Sequence, residues 1–463
     1  MISKTIGEIA SMIKGQLILN DASMTDEVCG VYIDSREVLH HGLYIPIIGE
    51  RVDGHTFISK VEEQGASLTL CSDEAFIPEH MAVILVKDTV SALQELAMHY
   101  RESLGAKVIG ITGSNGKTSC KDILAGCLSA QFKTQKTQGN HNNEIGVPLT
   151  LLELDEDCEV AVIEMGMENR EEIHFLNAMV QQDIAIITNV GIAHLENLGS
   201  LENIGHAKLE IVDDLHKDDL FLYYGDDKVL ASLMQNKKIK EGVMVETFGK
   251  KTNNTLYLSS LKQDETGIYF TTNRHPFEFH IDILGEHQAF NALAAILVGY
   301  HLGMNEETMQ KGFNFIEKTK MRNELMNVGN CKILNDAYKS NPQSAIAALD
   351  TFEMFEHPYK IAVLADMLDL GPTTTNLHYD LGYGLNVYDL KEVLCMGELA
   401  KSIGEGAKAA SVNGVRCFDD RDELFEYLKE YVKKDCMILF KGSRGMALDL
   451  VIHKLEEYGE RDE

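Results

Sequence analysis

Residues 108–119 read Val-Ile-Gly-Ile-Thr-Gly-Ser-Asn-Gly-Lys-Thr-Ser, and few stretches restrict a fold more. An apolar run long enough for a buried strand ends in a glycine-rich turn. Ile123, Leu124, Cys127 and Leu128 then recur at helical spacing. Strand, turn and helix in that order are the setting in which backbone N–H groups close on a phosphate and a helix N-terminus adds positive potential. Gly113 and Gly116 let the backbone approach, Lys117 neutralises charge, and the Thr118 hydroxyl can bind Mg²⁺. Ser114, Asn115 and Ser119 complete the candidate nucleotide contacts. The turn departs from G-x-x-x-x-G-K-[ST], which would place glycine at Ile111.

A strand of this kind needs neighbours. Val160-Ala-Val-Ile, Ile184-Ala-Ile-Ile and Leu220-Phe-Leu-Tyr are continuous apolar runs separated by helical stretches, the pattern of strands buried on both faces of a mostly parallel sheet. Before them, Leu43-Tyr-Ile-Pro-Ile-Ile, Leu68-Thr-Leu and Val83-Ile-Leu-Val read as strands and Ser91 to Tyr100 as a helix. Between residues 245 and 283 the period becomes two, with an Asp264-Glu-Thr-Gly turn, so a small antiparallel addition is expected, followed by a helix from Glu286 to His301. Strands at Lys332-Ile-Leu, Ile361-Ala-Val-Leu, Glu392-Val-Leu-Cys and Met437-Ile-Leu-Phe form a last α/β unit. The expectation is an α/β chain of three domains, 1–103, 104–317 and 318–463, in line with a length of 463 residues.

Composition narrows the partners. Forty-two Lys and Arg stand against 72 Asp and Glu, a net charge of −30, which argues against nucleic acid and anionic membranes while leaving room for one anion in a locally basic pocket. No run approaches the ~18 apolar residues of a membrane helix, and the N-terminus lacks a signal-peptide pattern. The nine cysteines are scattered without C-x-x-C spacing, as buried thiols in a reducing cytoplasm would be.

The form Thr112-Gly-Ser-Asn-Gly-Lys-Thr resembles the ATP loop of the Mur ligase family, the ATP-dependent amide ligases that extend the peptidoglycan precursor. The stretch TNVGIAHLENLGSLENIGHAKLEI, residues 188–211, is similar to that family throughout. Glu164, at the carboxyl end of a buried strand, lies where ligands of open α/β sheets bind. The resemblance implies that Thr118, Glu164, His194 and a carbamylated Lys208 hold one or two Mg²⁺, and that Asn291 contacts the adenine. It implies that Arg322 reaches the ATP phosphates, with Asp336, Tyr338 and Asn341 at the closed nucleotide site. Asn140 and Asn143, in Gln138-Gly-Asn-His-Asn-Asn-Glu, are candidate substrate contacts beside the phosphates.

Asp336-Ala-Tyr-Lys-Ser-Asn-Pro, Asp366-Met-Leu-Asp-Leu-Gly with His378, and Lys441-Gly-Ser-Arg-Gly-Met resemble the D-alanyl-D-alanine-adding branch. Lys339 and Ser340 replace that branch's usual Asn and Ala. Lys339 is then either an extra contact to phosphate or carboxylate, or a solvated side chain. Tyr32-Ile-Asp-Ser-Arg and Gly49-Glu-Arg-Val-Asp-Gly-His resemble the branch's uridine-nucleotide domain, with Ser35, Arg36 and His55 as contacts.

The resemblance thus implies a UDP-substrate domain, a central ATPase domain and a Rossmann-like ligase domain in a cytoplasmic monomer. Lys117, His194, Lys208 and Arg322 would be its catalytic groups. The implied substrates are ATP, UDP-N-acetylmuramoyl-tripeptide and D-alanyl-D-alanine. Because water would destroy an acyl phosphate, the third domain is expected to swing in and exclude it. Other readings are a diamino-acid-adding or folylpolyglutamate-synthetase-like ligase, or an ATP-binding paralogue without activity.

Overall fold

A computed structural model describes residues 1–37 and 39–460. At its centre is a nine-stranded sheet. From one edge the strands are Thr134–Lys136, Val160–Glu164, Lys107–Thr112, Ile184–Ile187, Leu220–Tyr224, Met244–Gly249, Leu256–Asp264, Gly267–Thr272 and Phe279–Ile281. Pairing is parallel as far as Leu256–Asp264 and antiparallel beyond it. The expected antiparallel addition is therefore an extension of the main sheet, joined to it through a parallel pair.

Alternation of side chains across the sheet gives it two cores. Ile109, Ile111, Val162, Ile186 and Leu222 face the helices Lys117–Ser129, Glu286–His301 and Glu306–Phe313. Val108, Ala161, Ile163, Ile187 and Phe221 face the other way, against Gly146–Glu153, Glu172–Val180 and Thr89–Ser103. That second core does not stop at the first unit. It runs without a break into Ile6, Ile9, Leu70 and Ile84, and the buried Tyr100 hydroxyl donates to Leu154 O at 2.8 Å.

The first unit carries a five-stranded sheet, Gln16–Ile18, Ala82–Leu85, Leu68–Cys71, Leu43–Tyr44 and Val31–Tyr32. The expected strand from Leu43 is only two residues long. Pro46 lacks the N–H that would continue the ladder, and its carbonyl instead accepts from Thr89 Oγ1 at 2.6 Å.

The third unit has six strands in the order Glu324–Val328, Cys331–Asp336, Cys436–Lys441, Lys360–Ala365, Glu392–Met396 and Val415–Phe418, antiparallel only in the first pair. Its two faces have cores of their own, around Leu349, Leu364 and Leu439 on one side and Ile333, Val363 and Ile438 on the other. No helix among the described residues is long and apolar enough to cross a membrane.

Candidate active site

The central sheet reverses its order between Lys107–Thr112 and Ile184–Ile187: the chain leaves the first strand toward one edge and returns on the other side of it. A crevice opens at the carboxyl ends of strands at such a reversal. Here it is a cavity of about 1200 Å³, walled by residues 114–119, Glu164, His194 and Asn291 of the central unit and by Arg322, Asp336, Tyr338 and Lys339 of the third.

The glycine-rich turn is clamped by the segment that follows Ile184–Ile187. Ser114 N donates to Asn189 O at 3.0 Å and Asn115 N to Asn189 Oδ1 at 3.0 Å. Thr188 Oγ1 donates to Asn115 O at 2.6 Å, and Gly191 N to Ser114 Oγ at 2.8 Å. A Cβ on Gly113 would overlap the Thr188 hydroxyl. Gly116, at φ 79°, takes the left-handed conformation that starts the helix Lys117–Ser129. The first N–H groups of that helix, with no partner inside it, face the crevice. Lys117 Nζ folds back onto Gly113 O at 2.7 Å. Burial, with Lys339 and Arg322 nearby, brings its ammonium down to about 8, while Glu164 opposes the shift.

Glu164 is 2% exposed. Its Oε1 accepts from Asn142 Nδ2 at 2.8 Å, and its backbone N donates to Thr137 Oγ1 at 3.0 Å. Its Oε2 is buried with no hydrogen-bond partner among the described residues. A buried carboxylate oxygen left bare is costly, and beside the Thr118 hydroxyl it suits a hard cation that completes its shell with phosphate and water. Thr118 Oγ1 also accepts from Arg322 Nη2 at 3.3 Å. Among the described residues no three His, Cys, Asp or Glu side chains gather as a metal site.

His194 sits at φ 62° at the start of the short helix Leu195–Leu198. Its ring is pushed down to about 3 by burial and by Lys339, Lys117 and Lys208. Lys208 is 1% exposed at the end of the helix Leu201–Lys208; its side chain makes no hydrogen bond or ion pair among the described residues and does not line the cavity. Burial first, then Lys117 and Lys339, drive its ammonium well below the usual lysine range.

From the third unit, Arg322 enters between two residues of positive φ, Met321 at 62° and Asn323 at 45°. Its guanidinium lies 4.5 Å from the centre of the Tyr338 ring, which Arg444 approaches at 5.3 Å. Asp336 Oδ2 is paired with Lys441 Nζ at 2.7 Å, and Lys441 is 2% exposed. Asn341 is buried and does not line the cavity; its Nδ2 donates to Asn115 Oδ1 at 2.7 Å across the join of the two units. Asn291 Nδ2 donates to Gln288 Oε1 at 2.9 Å beside Gly116.

The candidate substrate contacts divide. Asn140 lies exposed at the cavity wall. Asn143 lines it too, but its Oδ1 accepts from Gly146 N at 2.9 Å and so holds the start of the helix Gly146–Glu153. Ser35, Arg36 and His55 lie on the first unit, away from the cavity lining. Arg36 is exposed and forks onto Asp34, and Ser35 is buried. The expectation of a direct ligand contact from His55 meets a ring that is 1% exposed, with Nδ1 on Asp53 at 2.7 Å and Nε2 accepting from Ser72 N at 3.0 Å. In this arrangement His55 orders Asp53 and Ser72 instead.

Sequence reasoning passed over Asn142, Asn189 and His287. His287 lines the cavity with Nε2 between Gln288 and Asn323. Asn142 sits in a run of asparagines where spacing alone gives no way to choose among them.

Three family models match consecutive parts of the chain: a Mur ligase family catalytic domain over residues 27–101, the Mur ligase middle domain over 111–299 and the Mur ligase glutamate ligase domain over 321–444. The UDP-N-acetylmuramoyl-tripeptide–D-alanyl-D-alanine ligase of Bacillus subtilis is 39% identical over 461 residues, 99% of each chain. Among solved structures, MurF from Acinetobacter baumannii superposes with a TM-score of 0.88 at 26% identity, covering 99% of both chains. MurF ligase from Thermotoga maritima in complex with ADP does so at 0.80 and 25%, covering 94% of this chain and 98% of that one. With likeness in sequence and in shape running the full length of the chain, the protein belongs to the Mur ligase family.

Proposed function

We propose that the chain is an ATP-dependent amide ligase that joins D-alanyl-D-alanine to UDP-N-acetylmuramoyl-tripeptide, completing the peptide of the peptidoglycan precursor. The observation that carries this reading is the docking of the third unit on the phosphate loop, with Arg322 at Thr118 and Asn341 at Asn115. It is supported by the full-length likeness to a ligase of that activity. In this reading residues 1–103 bind the uridine nucleotide, 104–317 bind ATP and 318–463 close over both.

A carboxylate is a poor electrophile, so it is first activated. The terminal carboxylate oxygen of the tripeptide attacks the γ-phosphorus, and ADP leaves. The amine of D-alanyl-D-alanine then attacks the acyl carbon, loses a proton and expels inorganic phosphate. Two anions meet in the first step, and Lys117 and Arg322 offset their repulsion. Ser114, Asn115, Ser119 and the turn glycines cradle the phosphates, Asn291 faces the base, and Asp336 and Tyr338 form the far wall of the nucleotide site.

Thr118 and Glu164 would hold Mg²⁺, with His194 a further ligand wherever its ring is free, and the ion would supply charge neutralisation at the phosphates. The bare Oε2 of Glu164 fits that role. Lys208 would join them as a carbamate, turning a buried lysine into an anionic ligand. Asn140 and Asn143, with Ser35 and Arg36 on the first unit, would form the path of the UDP-linked substrate, and His55 would order the loop beneath them. We take the enzyme to act as a cytoplasmic monomer with no nucleic-acid or membrane partner.

The test is to mix the protein with ATP, Mg²⁺, UDP-muramyl-tripeptide and D-alanyl-D-alanine. Phosphate release that requires both co-substrates, together with a UDP-muramyl-pentapeptide mass, is expected. No release with either a lysine- or a diaminopimelate-containing tripeptide would overturn the reading.

A further inference from the structure

One side chain in the cleft has no part in the scheme above. Lys339 follows Tyr338 in the loop between the strand Cys331–Asp336 and the helix Pro342–Glu353. It turns inward, and its Nζ stands 3.4 Å from His194 Nε2. Its backbone is fixed there. Lys339 O accepts from the buried Lys441 Nζ at 2.7 Å, and two residues on, Asn341 is tied to Asn115 of the phosphate loop. The ammonium therefore reaches His194 only as the third unit docks.

An imidazole nitrogen has one lone pair in its ring plane, so His194 Nε2 accepts from this ammonium or binds a metal, not both. Burial lowers the Lys339 ammonium below the usual lysine range and Arg322 adds to the shift, while the more distant charges of Asp369, Glu168 and Glu164 oppose it.

We propose that Lys339 stands in for a second divalent ion in this chain. With the third unit docked, its ammonium occupies His194 Nε2, a single Mg²⁺ remains on Thr118 and Glu164, and the lysine supplies the second cation facing the γ-phosphate and the incoming carboxylate. The identity of those anions rests on the ligase reading; the metal count does not. A lysine delivered by docking also links charge neutralisation to closure, because an open site would lack that cation altogether.

Mn²⁺ in place of Mg²⁺ allows bound ions to be counted by electron paramagnetic resonance. The protein is saturated with a non-hydrolysable ATP analogue and UDP-muramyl-tripeptide, and the Mn²⁺ bound per nucleotide is measured. One ion is expected for the wild type and for Lys339→Arg. Two are expected for Lys339→Asn and for Lys339→Met, in which His194 is freed, with thermal melting confirming that each variant is folded. Two ions in the wild type, or one in both neutral variants, would overturn the inference and leave the ligase reading intact. Failure to bind the nucleotide at all would overturn both.

Discussion

Lys208 is buried and has no ion pair among the described residues, and burial, Lys117 and Lys339 all lower its ammonium. If it acts as a carbamate, Lys208→Ala lowers ligation about 10–100-fold, the usual cost of losing a group that orders a metal site. Short carboxylic acids then restore part of the rate, whereas they leave Lys117→Ala inactive. Assaying both variants with and without added formate or acetate checks this. Gly113 gives a second test. Its Cβ-less backbone lies against the Thr188 hydroxyl, so Gly113→Ala is expected to lose about 1–3 kcal/mol by overpacking and to bind ATP weakly, read by melting and by nucleotide titration. The two residues differ in how far sequence reveals them. The chemistry of Gly113 is local, written in a strand, a turn and a helix. Nothing in the composition of a helix ending in Ala207-Lys shows that Lys208 is buried; only the family resemblance singled it out. Lys339 was left between a contact and a solvated side chain; it is half-buried, with Nζ 3.4 Å from His194 Nε2.

At the scale of elements, the helix Pro342–Glu353 joins stability to function through one residue. Asn341 Oδ1 caps it by accepting from Ser344 N at 2.9 Å, while Nδ2 holds Asn115. Asn341→Ala should cost about 1 kcal/mol of stability for the lost cap and raise the KM for ATP. Asn341→Ser keeps the cap on a shorter side chain that cannot reach Asn115. It should melt close to the wild type yet show the same rise in KM, separating the two roles by calorimetry and kinetics. The central strands were legible because burial on both faces leaves continuous apolar runs. The short edge strands Thr134–Lys136 and Val415–Phe418 were not, since one open side lets Lys136 and Arg416 stand in them. The join between the parallel sheet and its antiparallel end was also hidden. A period of two reports a half-exposed face and says nothing of strand direction.

Across the whole molecule, the distribution of cores decides what moves. The first unit and one face of the central sheet share a single apolar core, whereas the third unit has two cores that take in Leu284, with Ile192 packed beside it, from the central unit. Closure is expected to be a motion of the third unit against the other two. Calorimetry should resolve two transitions. Leu96→Ala, in the shared core, should shift one of them by about 2–5 kcal/mol and leave the other in place, and Leu439→Ala should do the reverse. The central claim is that this closed cleft activates a carboxylate by phosphorylating it. Its most direct test is a UDP-muramyl-tripeptide carrying ¹⁸O in the terminal carboxylate, turned over with ATP and D-alanyl-D-alanine. The account predicts that each released phosphate carries one oxygen from the tripeptide while the pentapeptide keeps the other; phosphate free of label would contradict it.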